Sequence, residues 1–186
     1  MKLMKGFLLG TFVAGIFMAN LMGREAVSNA GVLNDYFVEK FRYIGINAEN
    51  LLFYIVEERM PLMILMMFLL FSALGVAAGL LALGWQGFSI GFMLSTGIAK
   101  YGVKGILLVL GGLFPQYLCY LPVYVCYFYL AVSLRQRLSG AYQMEKKRAY
   151  GLGALGAVML MGIFVTGIFL ESYINPIILK NILNFF

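Results

Sequence analysis

Histidine is missing from all 186 residues. That removes the side chain most used as a general base, and the commonest metal ligand, near neutral pH. Charge is scarce too: Asp, Glu, Lys and Arg make up 12% of the chain, against about 25% in a soluble domain. So little polar surface cannot coat a water-soluble particle of this length. The totals therefore exclude a soluble domain and predict one membrane domain over residues 1–186, with no separable module. The two cysteines, Cys119 and Cys126, share an apolar run. On one helix they stand about 10 Å apart, too far for a disulfide, and read as buried packing residues. Neither a GKS/GKT-ended phosphate loop nor a nucleophile–base pair is visible. Glu57 and Glu58 read as solvated surface rather than a catalytic pair. The expectation is a protein that is not an enzyme, with no catalytic residue, cofactor or metal.

What remains is 62% hydrophobic with 22 glycines. The apolar runs predict an all-α polytopic membrane protein of about five transmembrane helices, with a broken or re-entrant centre and an amphipathic outer stretch. Lys2 and Lys5 precede the run 6–23. It reads as an uncleaved first span with Gly15, Ala19 and Gly23 on a small-residue face. A signal peptide is the competing reading, for which Asn20–Gly23 offers a poor cleavage site.

Residues 24–59 form the one sizeable polar stretch. Ala26, Ala30, Leu33, Phe37, Phe41 and Ile44 recur at helical spacing. Gly45 is placed to stop that helix, and Asn47 to cap a second one through Leu51, Leu52 and Ile55. The pair can lie on the bilayer or the bundle, or offer a docking surface on which Leu33, Phe37 and Phe41 bind a partner. Pro61 is placed to open a span from Leu62 to Leu83. Gly75 and Gly79 give that span a GxxxG face, suited to packing within the chain and leaving a homo-oligomer open. Trp85 follows as an interface marker.

Residues 84–122 are apolar enough for a bilayer but much interrupted. Gly84, Gly87, Gly91 and Ser95 make one smooth helix face that lets another backbone approach. Gly102, Gly105, Gly111, Gly112, Pro115, Gln116 and Pro122 then predict a short helix, a re-entrant segment over 102–114 and a proline-kinked span, together making up the central spans 61–134. Broken backbone survives in lipid only when covered by protein or facing a wet cavity. Tyr117, Tyr120, Tyr124, Tyr127 and Tyr129 either place their tips at the bilayer surface or line a polar cavity. Gln116 can repair the kink locally. Glu171 is either wet at a membrane edge or paired with a buried partner that locks the last helix to the centre. The last span and its interfacial tail take residues 149–186, with Ile174, Ile177, Ile178 and Ile182 forming a short helix.

The net charge of +6 sits in two places. Lys2 and Lys5 supply part of it; the loop 135–148, with Arg135, Arg137, Lys146, Lys147 and Arg148 against Glu145, supplies the rest. Basic residues in short loops mark the cytoplasmic side. The N-terminus and 135–148 are thus expected inside, and 24–59 and the C-terminus outside, in a plasma membrane. The excess is a topology signal with a contact to anionic lipid, and no nucleic-acid surface is implied.

Three stretches, taken together, resemble a known family. GFSIGFML (Gly87–Leu94), LFPQYLCYLPVYV (Leu113–Val125) and FLESYINPIIL (Phe169–Leu179) are similar in order and loose spacing to the stage II sporulation protein M family of endospore-forming bacteria. Gly87 and Gly91, with Phe88 and Phe92, match its first motif. Pro115, Gln116 and Pro122 match the second, and Glu171, Tyr173 and Pro176 the third. Gln116 and Leu121 stand where many broader members carry His and an acid, so no activity of such a pair is implied. The resemblance implies a non-enzymatic scaffold at the septal, engulfing membrane that holds the peptidoglycan-degrading stage II sporulation proteins D and P. The alternative from the residues alone is a transporter or channel component using the broken central helices.

Overall fold

The computed structural model describes residues 2–22, 48–140 and 143–183. Leu33, Phe37 and Phe41, with the stripe predicted around them, lie outside the described residues. Those described are helical apart from short turns. The helices are α1 (Lys2–Leu21), α2 (Ala48–Leu70), α3 (Gly75–Tyr101) and α4 (Val103–Gly140). Then α5 (Gln143–Phe169) runs on through a π-helical turn (Leu170–Ile174) into α6 (Asn175–Leu183). Among the described residues four helical stretches are long and apolar enough to cross a membrane: Met4–Leu21, Gly75–Tyr101, Val103–Ser139 and Glu145–Ile182.

Glycines set how the helices meet. Gly84 faces Phe7 and Thr11 of α1, and Gly91 faces Phe12. Further along, Asn20 Nδ2 reaches Ser95 Oγ at 3.4 Å. Contacts advance the same way on both, so α1 and α3 run parallel. At Gly102 the chain reverses. Gly97 and Gly105 touch across the turn, while Gly79 abuts Tyr127, so α3 and α4 are an antiparallel hairpin. The pairing of α4 with α5 is also antiparallel and continues into α6. Leu134 covers Gly153, Leu130 covers Gly156, Tyr120 covers Gly167, and Gly111 and Gly112 receive Ile182 and Leu179. Met66 lies under Tyr127, and Arg59 over Tyr120, which sets α2 parallel to α4. The core lies among α2, α3, α4 and α5, around Met63, Leu83, Tyr120, Tyr127, Phe164 and Ile168.

Several expectations are corrected. Pro61 lies inside α2 instead of opening a span, and the stretch Leu62–Leu83 is broken at 71–74 before Gly75 starts α3. Pro115 and Pro122 lie inside α4, which continues unbroken where a re-entrant 102–114 was expected. Apolar helices tolerate proline when neighbours re-satisfy the freed carbonyl groups. At 1.5 Å per residue α4 reaches about 57 Å, well past a hydrocarbon core of about 30 Å. Trp85 lies within α3 rather than at an end. Cys126 is exposed rather than buried. Within 135–148 the basic residues ride on the ends of α4 and α5 rather than on a loop.

Gly102 alone among the described residues has positive φ (60°, with ψ −139°), and its N–H donates to the Ile98 carbonyl at 2.9 Å. A Cβ there would meet nothing within 4 Å, so only the backbone dihedral penalises a side chain. Gly102→Ala is expected to lower stability by about 1–2 kcal/mol, read as a lower melting temperature in detergent. No change would mean that the turn relaxes freely.

Candidate functional site

The polar groups of the core gather along one face of α4. Gln116, Tyr120, Tyr124 and Tyr127 follow one another at helical spacing. All four are buried, and a buried polar group needs a partner. Glu171 supplies the first. Its Oε1 accepts from Arg59 Nη2 at 2.7 Å and its Oε2 from the Tyr120 hydroxyl at 2.7 Å. The Arg59 guanidinium carbon also lies 5.1 Å from the Tyr120 ring centroid, within cation–π range. Both carboxylate oxygens are thereby engaged, and α2, α4 and the π turn are tied at one point. The Glu171 side chain is 12% exposed and that of Arg59 33%, so the pair opens partly on the α2 side.

The π turn places this acid. The Asn175 N–H donates to the Leu170 carbonyl, a five-residue reach that widens the helix. Pro176 explains the widening. Its ring would press on the carbonyl four residues back, that of Ser172, and it has no N–H to give. Ser172 is completely buried, and its hydroxyl donates to the Phe169 carbonyl at 3.2 Å.

Toward α6, Asn175 Nδ2 donates to Gln116 Oε1 at 2.9 Å, while the buried Asn175 Oδ1 has no partner. Toward the other end the buried Tyr124 lies beside the buried Gln86 side chain of α3. Beyond it the Tyr127 hydroxyl donates to the Met66 carbonyl at 2.7 Å. Tyr120, Tyr124 and Tyr127 thus keep their tips inside, which corrects the reading that puts them at the bilayer surface. Tyr129 is the exposed one.

The residues singled out in the sequence divide between two places. Gln116 and Glu171 join the seam; Pro115 and Pro122 flank it within α4, and Pro176 lies in the first turn of α6. Gly87 and Gly91 are elsewhere, against Leu8, Thr11 and Phe12 of α1. Sequence reasoning missed Arg59, Gln86 and Asn175 as seam members. Arg59 was placed in the outer polar stretch, although its position just before the apolar run 60–70 is where a cation for a membrane acid could stand. Among the described residues no three His, Cys, Asp or Glu side chains come together.

These features define a class: an all-helical protein with four helical stretches long and apolar enough to cross a membrane, cross-tied inside by an Arg–Glu–Tyr cluster. No family model matches the chain, and no curated protein or solved structure matches it.

Proposed function

We propose that the chain is a non-enzymatic integral membrane scaffold that localises peptidoglycan hydrolases during engulfment in sporulation, as the resemblance to stage II sporulation protein M implies. The observation that carries the reading is the meeting of two motifs behind that resemblance: Gln116 bonds Asn175, and Tyr120 bonds Glu171. Residues that hold one another in this way make a fixed frame. α2 packs against α3, α4 and α5 and supplies a fifth crossing, the charges of its first half setting it apart in composition from the four apolar stretches. With the basic ends of α4 and α5 cytoplasmic, the N-terminus is inside, and residues 23–47 and α6 are outside. The partners, proteins of the stage II sporulation D and P type, dock on that outer stretch, and anchoring raises their local concentration.

The transport reading draws on the π turn and the unpartnered Asn175 Oδ1. Against it, the hydroxyl series ends with Tyr127 donating to a backbone carbonyl, which has no proton to pass on. The test is affinity purification from sporulating host cells. Wild-type protein is expected to bring down wall hydrolases, and a Leu33→Glu/Phe37→Glu/Phe41→Glu variant to insert but bring down less than a tenth as much, about 1.4 kcal/mol of binding. Equal recovery would count against that surface. Solute flux in proteoliposomes, blocked by Gln116→Leu, would favour transport.

A further inference from the structure

At the Gly140 end of the bundle the core stops at Leu134 of α4 and Ala149 of α5, each 3% exposed. Immediately past these two residues Arg135, Arg137, Lys146, Lys147 and Arg148 are all exposed, accompanied by one acid, Glu145. The packing of Gly153 on Leu134 and Phe71 fixes both helix ends, so these cations are held together by the fold rather than scattered along a loop. Arg137 suits the last turn of α4, where the helix dipole is negative. Lys146, Lys147 and Arg148 do not suit the start of α5, where the dipole is positive and the first N–H groups have no helical acceptors. The arrangement repels itself unless an anion sits on it.

The surface just below is apolar: Leu74, Leu152 and Leu155 are 62%, 47% and 54% exposed. Between the apolar surface and the cations is Tyr150, its ring 6.1 Å from that of Phe71, at the level where aromatic rings mark a membrane–water boundary. Exposed apolar side chains, then a tyrosine, then a cation cluster is the order in which acyl chains, interface and headgroup phosphates follow in a bilayer.

We propose that this end of the α4–α5 hairpin binds the phosphate groups of anionic phospholipids in the bilayer around it. The inference rests on the membrane reading alone and survives loss of the scaffold role. Full-length protein, stripped of lipid in uncharged detergent, is titrated with phosphatidylglycerol or phosphatidylcholine while its melting temperature is followed. Phosphatidylglycerol is expected to raise the melting temperature and phosphatidylcholine to leave it unchanged. Lys146→Gln/Lys147→Gln/Arg148→Gln should shift the phosphatidylglycerol midpoint upward by about fivefold per cation removed. Glu145→Gln, which removes no cation, should shift it downward, and it decides the matter if the triple variant fails to fold. Inorganic phosphate at matched ionic strength should leave the wild-type melting temperature unmoved. Equal effects of the two lipids, unshifted midpoints in the variants, or a phosphate response matching that of phosphatidylglycerol would each overturn the proposal.

Discussion

Glu171→Ala should destabilise the detergent-solubilised protein by about 3 kcal/mol, one of the largest losses available from a single side chain here. The substitution strands two groups at once. Arg59 Nη2 and the Tyr120 hydroxyl both donate to this carboxylate at 2.7 Å, and each would be left without its acceptor. An unsatisfied buried hydroxyl costs about 1–3 kcal/mol and a stranded charge more. The Arg59 side chain is 33% exposed and long enough to turn its guanidinium away from the vacated site, which keeps the total below the upper end of that range. For a chain this long about 3 kcal/mol corresponds to about 6–12 °C in melting temperature. The control separates loss of the pair from loss of shape. Arg59→Met and Tyr120→Phe with Glu171→Leu removes both charges and the hydroxyl that donates to the acid while nearly keeping volume, and is expected to recover most of the loss. An unchanged melting profile in Glu171→Ala would mean that the acid is merely wet.

That acid illustrates what the sequence discloses. Glu171 is conspicuous because it follows a long apolar run, and its position alone raises the question of a partner. The identity of the partner is not local information. Arg59 lies 112 residues away, beside Glu57 and Glu58, which disguise it as part of a solvated polar stretch. Only the parallel course of α2 beside α4 brings it to Tyr120. Gln116 has the same history: its polarity at depth is visible, but Asn175 reaches it only because the π turn shifts the register before α6.

The glycines show the opposite limit. Gly102, Gly105, Gly111 and Gly112 look alike in a string, and each is a credible break. In the fold only Gly102 uses its freedom in φ. Gly105 is small because Gly97 lies against it, and Gly111 because Ile182 does. A residue chosen for absence of a side chain and one chosen for a backbone angle are the same letter. Hence the centre reads as fractured when it is two long helices joined at one turn. The prolines mislead similarly, since their penalty is set by whether neighbours accept the freed carbonyl groups. By contrast the face of Gly84, Gly87 and Gly91 is legible, because its regular spacing has meaning only if another helix lies on it.

Gly91→Leu tests that face, and it should detach α1 from α3. A Cβ at Gly91 would overlap the Phe12 carbonyl, and one at Gly15 would overlap the Phe88 carbonyl. Both obstacles are backbone atoms within helices, so neither can yield without moving the whole helix. Ordinary overpacking costs about 1–3 kcal/mol; here the nearest obstacle to a side chain at Gly91 is the Phe12 backbone carbonyl, so a loss of about 3 kcal/mol is expected. A crosslink reports it directly. Asn20 Nδ2 and Ser95 Oγ are 3.4 Å apart, so Asn20→Cys/Ser95→Cys, in a chain with Cys119 and Cys126 changed to alanine, should be bridged by a short bis-maleimide reagent, which does not need disulfide geometry. Adding Gly91→Leu should cut the crosslink yield by about tenfold or more, as a shift of about 1.4 kcal/mol or more in the docked population requires. Gly162→Ala is the matched control. Nothing lies within 4 Å of its Cβ position, and alanine favours a helix by up to about 1 kcal/mol, so that variant should crosslink as well as the parent and melt no lower. An undiminished crosslink in Gly91→Leu would mean that α1 finds another seat on α3. The regular glycine spacing would then reflect composition rather than contact.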